Sequence, residues 1–298
     1  MDELANAPLA RYTTLKIGGN ARRVCHPKTI DELVQLVGQM NGEPWYVIGG
    51  GSNLLISSEG FDGSVIRTTD LTEIKQISES QLEAAAGARL PHLAKFAAQK
   101  GYSGLEFAVG IPGTVGGGVI MNAGAHGSCM ANIVDTVTYF DSEAKKLVTL
   151  KNDEVGFVYR KCKLDPQKHV IVSAVFNLPH GEAEEIVAKT KHNEEYRMRT
   201  QPIGFPNAGS TFKNPDPDRS AGFLLDKSGA KNMQEGKAAV SELHANFVVN
   251  MGGATSHDVA NLVGRMQEMV QEQFHVRMLP EWKTLGKFTD EELRAWKS

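Results

Sequence analysis

The sequence contains few cysteines, no excess of positive charge and no long apolar run. Its 298 residues include three cysteines, which form neither a CxxC pair nor an even-numbered disulfide framework. The net charge of -3 provides no attraction for nucleic acid or for an anionic membrane surface. The apolar stretches are too short to span a bilayer, and the acidic first residues are not typical of a secretory signal. We therefore expect a cytoplasmic protein without nucleic-acid or membrane partners.

Several motifs that identify common enzyme classes are absent as well. The sequence contains neither GxGxxG nor GxxxxGK[ST], which disfavours a classical dinucleotide-binding fold and a P-loop. It contains no GxSxG, which disfavours a hydrolase triad. Its nine histidines form no HExxH motif and no paired His–carboxylate spacing, so we expect no metal site.

The composition is typical of a globular protein, with 41% hydrophobic and 22% charged residues, and the length allows two or three domains. Thr29 and Glu32 form a capping box before a helix, and Thr255 with Asp258 begins the most clearly amphipathic helix. The continuous apolar run at 170–176 predicts a strand buried on both faces. Helical and strand patterns are mixed along the chain, which predicts the α+β class.

Three stretches are rich in glycine and other small residues. Residues 49–53 follow a predicted buried strand at 45–48, and the others are 109–118 and 121–127. Bare backbone lets N–H groups approach an anion closely, and neither glycine turn leads into a strongly periodic helix. We therefore predict that loop N–H groups of the first two stretches grip one large phosphate-bearing ligand from both sides. One such turn by itself is more often only a tight turn.

Six segments together resemble the MurB family of UDP-N-acetylenolpyruvoylglucosamine reductases. In chain order they are 48–53 (IGGGSN), 110–117 (GIPGTVGG), 121–125 (MNAGA), 159–160 (YR), 209–215 (GSTFKNP) and 279–281 (LPE). They follow the family's order and spacing over almost the whole chain. The resemblance implies a two-lobed FAD-binding unit of the vanillyl-alcohol-oxidase/PCMH type and a C-terminal α+β substrate domain.

The resemblance also implies a division of the chain and a cofactor. Residues 1–80 and 81–182 would form the FAD-binding lobes, 183–278 would bind a UDP-sugar, and 279–298 would return Glu281 to the FAD-binding unit. Neither glycine turn contains a His or Cys, so FAD is expected to bind without a covalent bond, with NADPH as co-substrate. The implied FAD contacts are Val47, Ile48, Gly49, Gly50, Gly51, Ser52, Asn53, Gly110, Gly113, Thr114, Val115, Gly116, Gly117, Asn122, Gly124 and Val172.

The implied reaction reduces UDP-N-acetylglucosamine enolpyruvate to UDP-N-acetylmuramate, a peptidoglycan precursor. FAD reduced by NADPH gives a hydride from N5 to C3 of the enolpyruvyl group, and C2 is then protonated. Arg160 would stabilise the negative charge that develops on the substrate carboxylate. Ser210 would supply the proton, with Lys213 and Arg160 steadying its alkoxide. Glu281 would orient the enol or help to relay the proton.

Each of these residues also has an ordinary structural interpretation. Taken alone, Arg160 is a solvated arginine, Ser210 a serine in a turn and Glu281 a solvated carboxylate. The resemblance implies further substrate contacts from Tyr159, Asn214, Lys231 and Asn246. The sequence lacks the inserted Tyr-bearing loop that some members fold over the substrate, so it resembles the shorter type of the family.

Two alternatives stay open at this point. One is an FAD-dependent oxidase of the same fold that acts on a sugar or lactone and reacts with oxygen. The other is a non-catalytic nucleotide-binding module, which would leave Arg160, Ser210 and Glu281 without a common purpose. For the reductase, the absence of a separate dinucleotide motif predicts that NADPH and the sugar use the same cleft in turn, with ping-pong kinetics. A monomer is expected.

Overall fold

The computed structural model describes residues 1–40 and 42–297, in which helices and strands are mixed along the chain. The strands are β1 Asp2–Pro8, β2 Asn20–His26, β3 Trp45–Ile48, β4 Leu54–Ile56, β5 Phe61–Arg67, β6 Ile74–Ser78, β7 Gln81–Ala85, β8 Gly124–Ala125, β9 Ser128–Cys129, β10 Val134–Asp141, β11 Lys146–Lys151, β12 His169–Asn177, β13 Gln234–Glu235, β14 Ala238–Val240, β15 Val248–Asn250 and β16 Lys283–Leu285. The α-helices are α1 Ile30–Gly38, α2 Leu90–Gln99, α3 Val115–Ile120, α4 Asn152–Val155, α5 Ala183–Thr200, α6 Ala221–Lys227 and α7 Ser256–Phe274. The predicted α+β class is confirmed.

Contacts divide the described residues into two compact units. Unit 1 comprises Met1–Ala5, Arg23–Gly50 and Gly63–Arg197, and unit 2 comprises Asn6–Arg22, Gly51–Asp62 and Met198–Ser298. The predicted regions end at residues 80, 182 and 278, and the boundaries of these two units lie elsewhere. Most of α5 belongs to unit 1, where Asn193 Nδ2 donates to the Glu106 carbonyl at 2.9 Å. A change in composition along the chain does not reveal such a contact.

Unit 1 is built on two sheets. It holds most residues of a four-stranded sheet with the order β1-β2-β5-β3, in which β3 and β5 are parallel. A five-stranded antiparallel sheet has the order β11-β10-β12-β7-β6. β12 is buried along most of its length, as the apolar run predicts. Leu93, Val115, Met130 and Phe176 are buried together in the main core of this unit.

Unit 2 is built around the long helix α7. The Thr255 hydroxyl accepts from Asp258 N at 3.1 Å, and the Asp258 carboxylate accepts from Thr255 N at 3.0 Å, so a capping box stands at the predicted start of this helix. The apolar face of α7 is buried in a core that also contains residues of α6, β14 and β15. β16 pairs in parallel with β4, with Lys283 opposite Leu54. This pairing draws the C-terminal segment onto the residues that follow the first glycine turn.

The start of α1 differs in detail from its prediction. Thr29 accepts from Glu32 N at 3.1 Å, but the Glu32 carboxylate accepts from Lys28 N at 2.7 Å and from the N-terminal amine at 2.8 Å. The Glu32 carboxylate is drawn toward the N-terminal amine and the Lys28 N–H, so the reciprocal bond of the capping box, to Thr29 N, is replaced. In 1–40 and 42–297, no helix combines the length and apolar character needed to cross a bilayer. The same residues include no cluster of three or more His, Cys, Asp or Glu side chains suited to a metal ion.

Candidate functional site

The first and second glycine turns lie against each other within unit 1. A Cβ added to Gly49 would lie 2.2 Å from Thr114 Oγ1, and one added to Gly50 would lie 2.7 Å from Gly113 Cα. Only glycine lets the two backbones meet at this distance. Arg67 Nη1 donates to the Gly49 carbonyl at 2.6 Å and fixes the end of β3. Two stretches that are about sixty residues apart in the chain are therefore neighbours in space.

Thr114 places a buried hydroxyl beside these turns. Its Oγ1 has no hydrogen-bond partner in the part of the chain that the structure describes, and it does not cap α3. A buried polar atom is costly unless some partner, such as a ligand, satisfies it. The bare backbone and this hydroxyl fit the predicted FAD, whose pyrophosphate takes donors at close approach. The second turn leads directly into the six-residue helix α3, which the loop prediction missed.

The other predicted FAD contacts in the second glycine turn have different surroundings. Val115 is buried in the core, and a Cβ added to Gly116 would lie 3.2 Å from Ala86 Cβ. Gly117 is exposed, and the nearest atom to an added Cβ is Thr114 Oγ1 at 3.9 Å. An added Cβ at Gly110 would meet the aliphatic stem of Arg197 at 3.2 Å. Gly117 is therefore the exposed member of this stretch, while Thr114 is buried beside Gly49.

The other predicted FAD contacts occupy core and loop positions. Val47 is half-buried in β3, while Ile48 and Val172 are buried. In unit 2, Gly51 packs against the Tyr12 carbonyl, with Ser52 beside it. Asn53 Nδ2 donates to the Glu281 carbonyl at 3.3 Å. The first glycine turn is thereby tied to the segment that carries a predicted catalytic residue.

Arg160 lies in a tight turn of unit 1. Val158 N donates to the Lys161 carbonyl at 2.9 Å, and Lys161 N donates to the Val158 carbonyl at 3.2 Å. Arg160 adopts a left-handed φ of 56°, which is uncommon for a residue with a side chain. Its Nη1 donates to the Gly124 carbonyl at 3.0 Å. The turn therefore holds the guanidinium beside the third small-residue stretch.

Asn122, a predicted FAD contact, supports this turn. Its buried Nδ2 donates to the Val158 carbonyl at 3.0 Å, and its Oδ1 accepts from Ala131 N at 2.9 Å. Tyr159 is 54% exposed, and its ring lies 5.3 Å from the Arg160 guanidinium carbon. The sequence predicted Asn122 and Arg160 as separate contacts, and the structure connects them through one turn.

Ser210 and Glu281 lie on backbone segments of unit 2 that pair with each other. Glu281 N donates to the Thr211 carbonyl at 2.8 Å, and Lys213 N donates to the Leu279 carbonyl at 2.9 Å. These bonds flank an antiparallel bridge between Phe212 and Pro280. Residues separated by about seventy positions are thus held side by side, and both Ser210 and Glu281 are half-buried.

The predicted substrate contacts in unit 2 have different surroundings. Asn214 is exposed, and its Oδ1 accepts from Ala221 N at 3.0 Å. Lys231 forms an ion pair with Asp226 at 2.8 Å, and this contact lowers the Asp226 pKa. Asn246 is buried, and its side-chain amide bonds to both backbone groups of Phe212. Asn246 is the member of this set that lies inside the fold rather than at its surface.

Three groups near the site were not predicted from the sequence. Thr14 Oγ1 donates to the Asn207 carbonyl at 2.6 Å, and Thr14 N donates to the Gly51 carbonyl at 3.0 Å. Burial lowers the pKa of Arg197, whose stem covers Gly110. Burial also raises the Tyr46 pKa to about 12. Thr14 belongs to an extended segment before a double glycine, which is a weak indication of a functional position. Arg197 is one of many charged residues in α5, and nothing in the sequence distinguishes it from the others.

Two family models match the chain. The model described as "FAD binding domain" matches residues 21–144, which include both glycine turns. The model described as "UDP-N-acetylenolpyruvoylglucosamine reductase, C-terminal domain" matches residues 201–285, which include Ser210 and Glu281. Arg160 lies between the two matched ranges.

Curated relatives named UDP-N-acetylenolpyruvoylglucosamine reductase resemble the chain over nearly its whole length. The protein from Carboxydothermus hydrogenoformans is 41% identical, over 95% of this chain and 94% of its own length. The protein from Caldanaerobacter subterraneus subsp. tengcongensis is 39% identical, over 95% and 93% of the two chains. The crystal structure of UDP-N-acetylenolpyruvylglucosamine reductase (MurB) from Thermus caldophilus superposes with a TM-score of 0.81 at 34% identity, over 95% of this chain and 98% of that one.

Proposed function

This chain belongs to the UDP-N-acetylenolpyruvoylglucosamine reductase (MurB) family, and we propose that Arg160, Ser210 and Glu281 are its catalytic residues. The protein is an FAD-dependent oxidoreductase that uses NADPH in the synthesis of peptidoglycan precursors. It reduces UDP-N-acetylglucosamine enolpyruvate to UDP-N-acetylmuramate. Family membership decides against the oxidase and against the non-catalytic module. The observation that supports the catalytic assignment is the backbone pairing between the Ser210 loop and the Glu281 segment.

We propose that Gly49, Gly50, Gly113 and Thr114 are among the residues that hold FAD. The Gly50 and Gly113 backbones meet without a side chain between them, Gly49 lies against the Thr114 side chain, and the buried Thr114 hydroxyl has no hydrogen-bond partner among the described residues. Gly117 adds open backbone at the same turn. When bound, FAD supplies the hydride that C3 of the substrate receives. The residues of this chain then have to stabilise charge, deliver a proton and orient the substrate.

Arg160 would stabilise the carboxylate of the substrate as negative charge develops on it. A guanidinium keeps its positive charge at all relevant pH values and can bind a carboxylate through two parallel hydrogen bonds. Its bond to Gly124 and its left-handed backbone fix the direction in which the side chain leaves the turn. A fixed cation needs no reorganisation when the charge appears, which is the condition for electrostatic catalysis.

Ser210 would give the proton to C2. A serine hydroxyl is a weak acid, so it can serve only against a strongly basic carbon and with help for the alkoxide that it leaves. Lys213 lies three residues further along the same loop and provides a positive charge in the same segment. Gly209 precedes Ser210 with a left-handed φ of 77°, so the sharp change of direction falls on a residue without a side chain.

Glu281 would orient the enol or relay the proton. Its backbone position is fixed from two sides, because its N–H donates to Thr211 and its carbonyl accepts from Asn53. Tyr159, Asn214 and Lys231 remain proposed contacts of the UDP-sugar. Lys231 would exchange part of its interaction with Asp226 for the diphosphate, since both are anionic partners at the same cation.

We also propose that NADPH and the sugar occupy the same site in turn. Ping-pong kinetics follow, with parallel lines in initial-rate plots, whereas intersecting lines would contradict this order. Both compounds are metabolites of the cytoplasm, which supports that location for the protein. A monomer is proposed, and light scattering of the purified protein tests it.

A Ser210→Ala substitution tests the catalytic proposal. It removes the proposed proton donor and leaves the glycine turns of unit 1 untouched. Reduction of the flavin by NADPH, followed at its visible absorbance without oxygen, is expected to keep its rate. Turnover of the enolpyruvyl sugar is expected to fall about 10²–10⁴-fold, the usual contribution of a general acid.

Ser228→Ala is a matched control in the same unit. Ser228 loses one hydrogen bond, to the Leu225 carbonyl at 3.0 Å, and has no role in the proposed chemistry. It should keep both half-reactions near the unmodified rates. Turnover by Ser210→Ala within a few-fold of that control would show that another group protonates C2.

A further inference from the structure

Asn246 makes three hydrogen bonds to the two residues that follow Ser210. Its Oδ1 accepts from Phe212 N at 2.9 Å, and its Nδ2 donates to the Phe212 carbonyl at 2.9 Å. Its own backbone carbonyl accepts from Thr211 N at 2.8 Å. Asn246 is 3% exposed, so water does not compete for these bonds. The side chain thus engages one peptide donor and one peptide acceptor of the loop, as a paired strand would.

The same two loop residues carry the link to Glu281. The Thr211 carbonyl accepts from Glu281 N, and Phe212 forms the bridge to Pro280. Both loop residues are fully buried, so they cannot shift outward without opening the core of unit 2. A displacement of Thr211 and Phe212 would therefore move Ser210 and the Glu281 segment together.

We propose that Asn246 is a positioning residue for the reduction of the sugar, and that it acts by fixing the Ser210 loop against the Glu281 segment. This inference rests on the proposed roles of Ser210 and Glu281. We propose this positioning role instead of the direct contact with the substrate that the resemblance implies for Asn246. The burial of the Asn246 side chain disfavours such a contact. The carboxamide of Asn offers a donor and an acceptor on separate atoms, and these atoms bond to the two backbone groups of Phe212.

Asn250 provides a matched control, because it is a buried asparagine of the same unit with a different set of partners. Its Nδ2 donates to the Leu15 carbonyl at 3.1 Å, and its Oδ1 accepts from Gly252 N at 2.9 Å and Ala254 N at 3.1 Å. Its side chain therefore holds other segments of unit 2. Loss of either amide should destabilise the fold, but only loss of the Asn246 amide should alter the Ser210 loop.

The experiment compares Asn246→Asp and Asn250→Asp in the FAD-loaded protein. Each change keeps the size of the side chain and the acceptor, and removes the donor. For Asn246→Asp we expect kcat for the enolpyruvyl sugar to fall about 10²-fold, as for a misplaced catalytic group, with KM changed less than about threefold. Flavin reduction by NADPH should be unchanged. Asn250→Asp should lower the melting temperature and keep kcat.

Hydrogen exchange supplies a measurement that does not depend on turnover. The amide protons of Thr211, Phe212 and Glu281 should exchange faster in Asn246→Asp and at the unmodified rate in Asn250→Asp. If Asn246→Asp does not fold, Asn246→Ser is measured in the same way. A higher KM with unchanged kcat would show a substrate contact, and unchanged exchange would show that the amide does not hold the loop; either result overturns the proposal.

The outcomes also separate this inference from the proposed function. If Ser210→Ala keeps its turnover while Asn246→Asp still loosens Thr211 and Glu281, the catalytic assignment fails and the structural part of the inference stands. If Ser210→Ala loses turnover and Asn246→Asp does not, the positioning role fails and the catalytic assignment stands.

Discussion

The two units place the left-handed backbone conformation differently around their proposed catalytic residues. In unit 1, Arg160 itself adopts this conformation, in a turn held by backbone bonds between Val158 and Lys161 and by side-chain bonds from Asn122 and Arg160. In unit 2, Gly209 adopts it next to Ser210, and both backbone pairing and the Asn246 amide secure the loop. The left-handed conformation costs a residue with a side chain about 1–2 kcal/mol and costs glycine nothing comparable. Unit 1 therefore carries local strain at its proposed catalytic residue, whereas in unit 2 the left-handed conformation falls on the glycine before Ser210.

The largest expected effect tests whether the strained residue of unit 1 is catalytic. Arg160→Ala removes the cation that we propose to stabilise the developing carboxylate charge. Turnover of the enolpyruvyl sugar should fall about 10²–10³-fold, as for loss of one electrostatic stabiliser. Flavin reduction by NADPH, measured in rapid mixing, should persist. Arg22→Ala, which breaks an exposed contact with Asp62, is the control and should leave turnover intact. Equal losses in both variants would remove Arg160 from the mechanism.

A second prediction concerns the packed glycine turns of unit 1. Gly50→Ala places a Cβ 2.7 Å from Gly113 Cα, where backbone has to move. We expect a loss of about 1–3 kcal/mol in the free energy of unfolding, together with weaker retention of FAD on gel filtration. Gly204→Ala is the control, because nothing lies within 4 Å of its added Cβ. Unfolding curves that coincide for the two variants would argue against this packing.

A smaller effect measures the strain at Arg160 directly. Arg160→Gly removes the cost of the left-handed conformation and also removes the guanidinium. Relative to Arg160→Ala, it should raise the free energy of unfolding by about 1 kcal/mol while turnover is lost equally in both. Denaturant titration of the two variants provides the measurement. A glycine variant less stable than the alanine variant would show that the turn is not strained.

The smallest effect is a dependence of unit 2 on pH. Burial lowers the His244 pKa below its ordinary value of 6.5, and the Lys231 charge lowers it further. The unfolded chain therefore takes up this proton first as the pH falls, so stability is full above about pH 6.5 and is lost below it. His244 Nδ1 also accepts from Asn246 N at 3.2 Å, which requires the unprotonated nitrogen. His244→Asn should flatten the fall in unfolding free energy between pH 7 and 5.5, and identical slopes would contradict this.

Local features of the sequence predicted much of the fold. The apolar run at 170–176 corresponds to β12, and the amphipathic pattern that begins at Thr255 and Asp258 corresponds to α7. These features depend on side-chain periodicity and on contacts three or four residues apart, which a sequence displays directly. The same local reasoning missed α3, because glycine-rich helices lack an apolar period.

The sequence by itself determined which residue types were available: glycine turns for close approach to an anion, one arginine, one serine and one glutamate in motifs of the family. Only the tertiary structure decided that Gly49 and Gly50 meet Gly113 and Thr114, and that Asn246 faces the Phe212 backbone rather than the surface. The physical reason is that these contacts join residues some thirty to seventy positions apart. Their geometry depends on which residues are buried together and on which backbone groups pair, and local sequence patterns reveal neither.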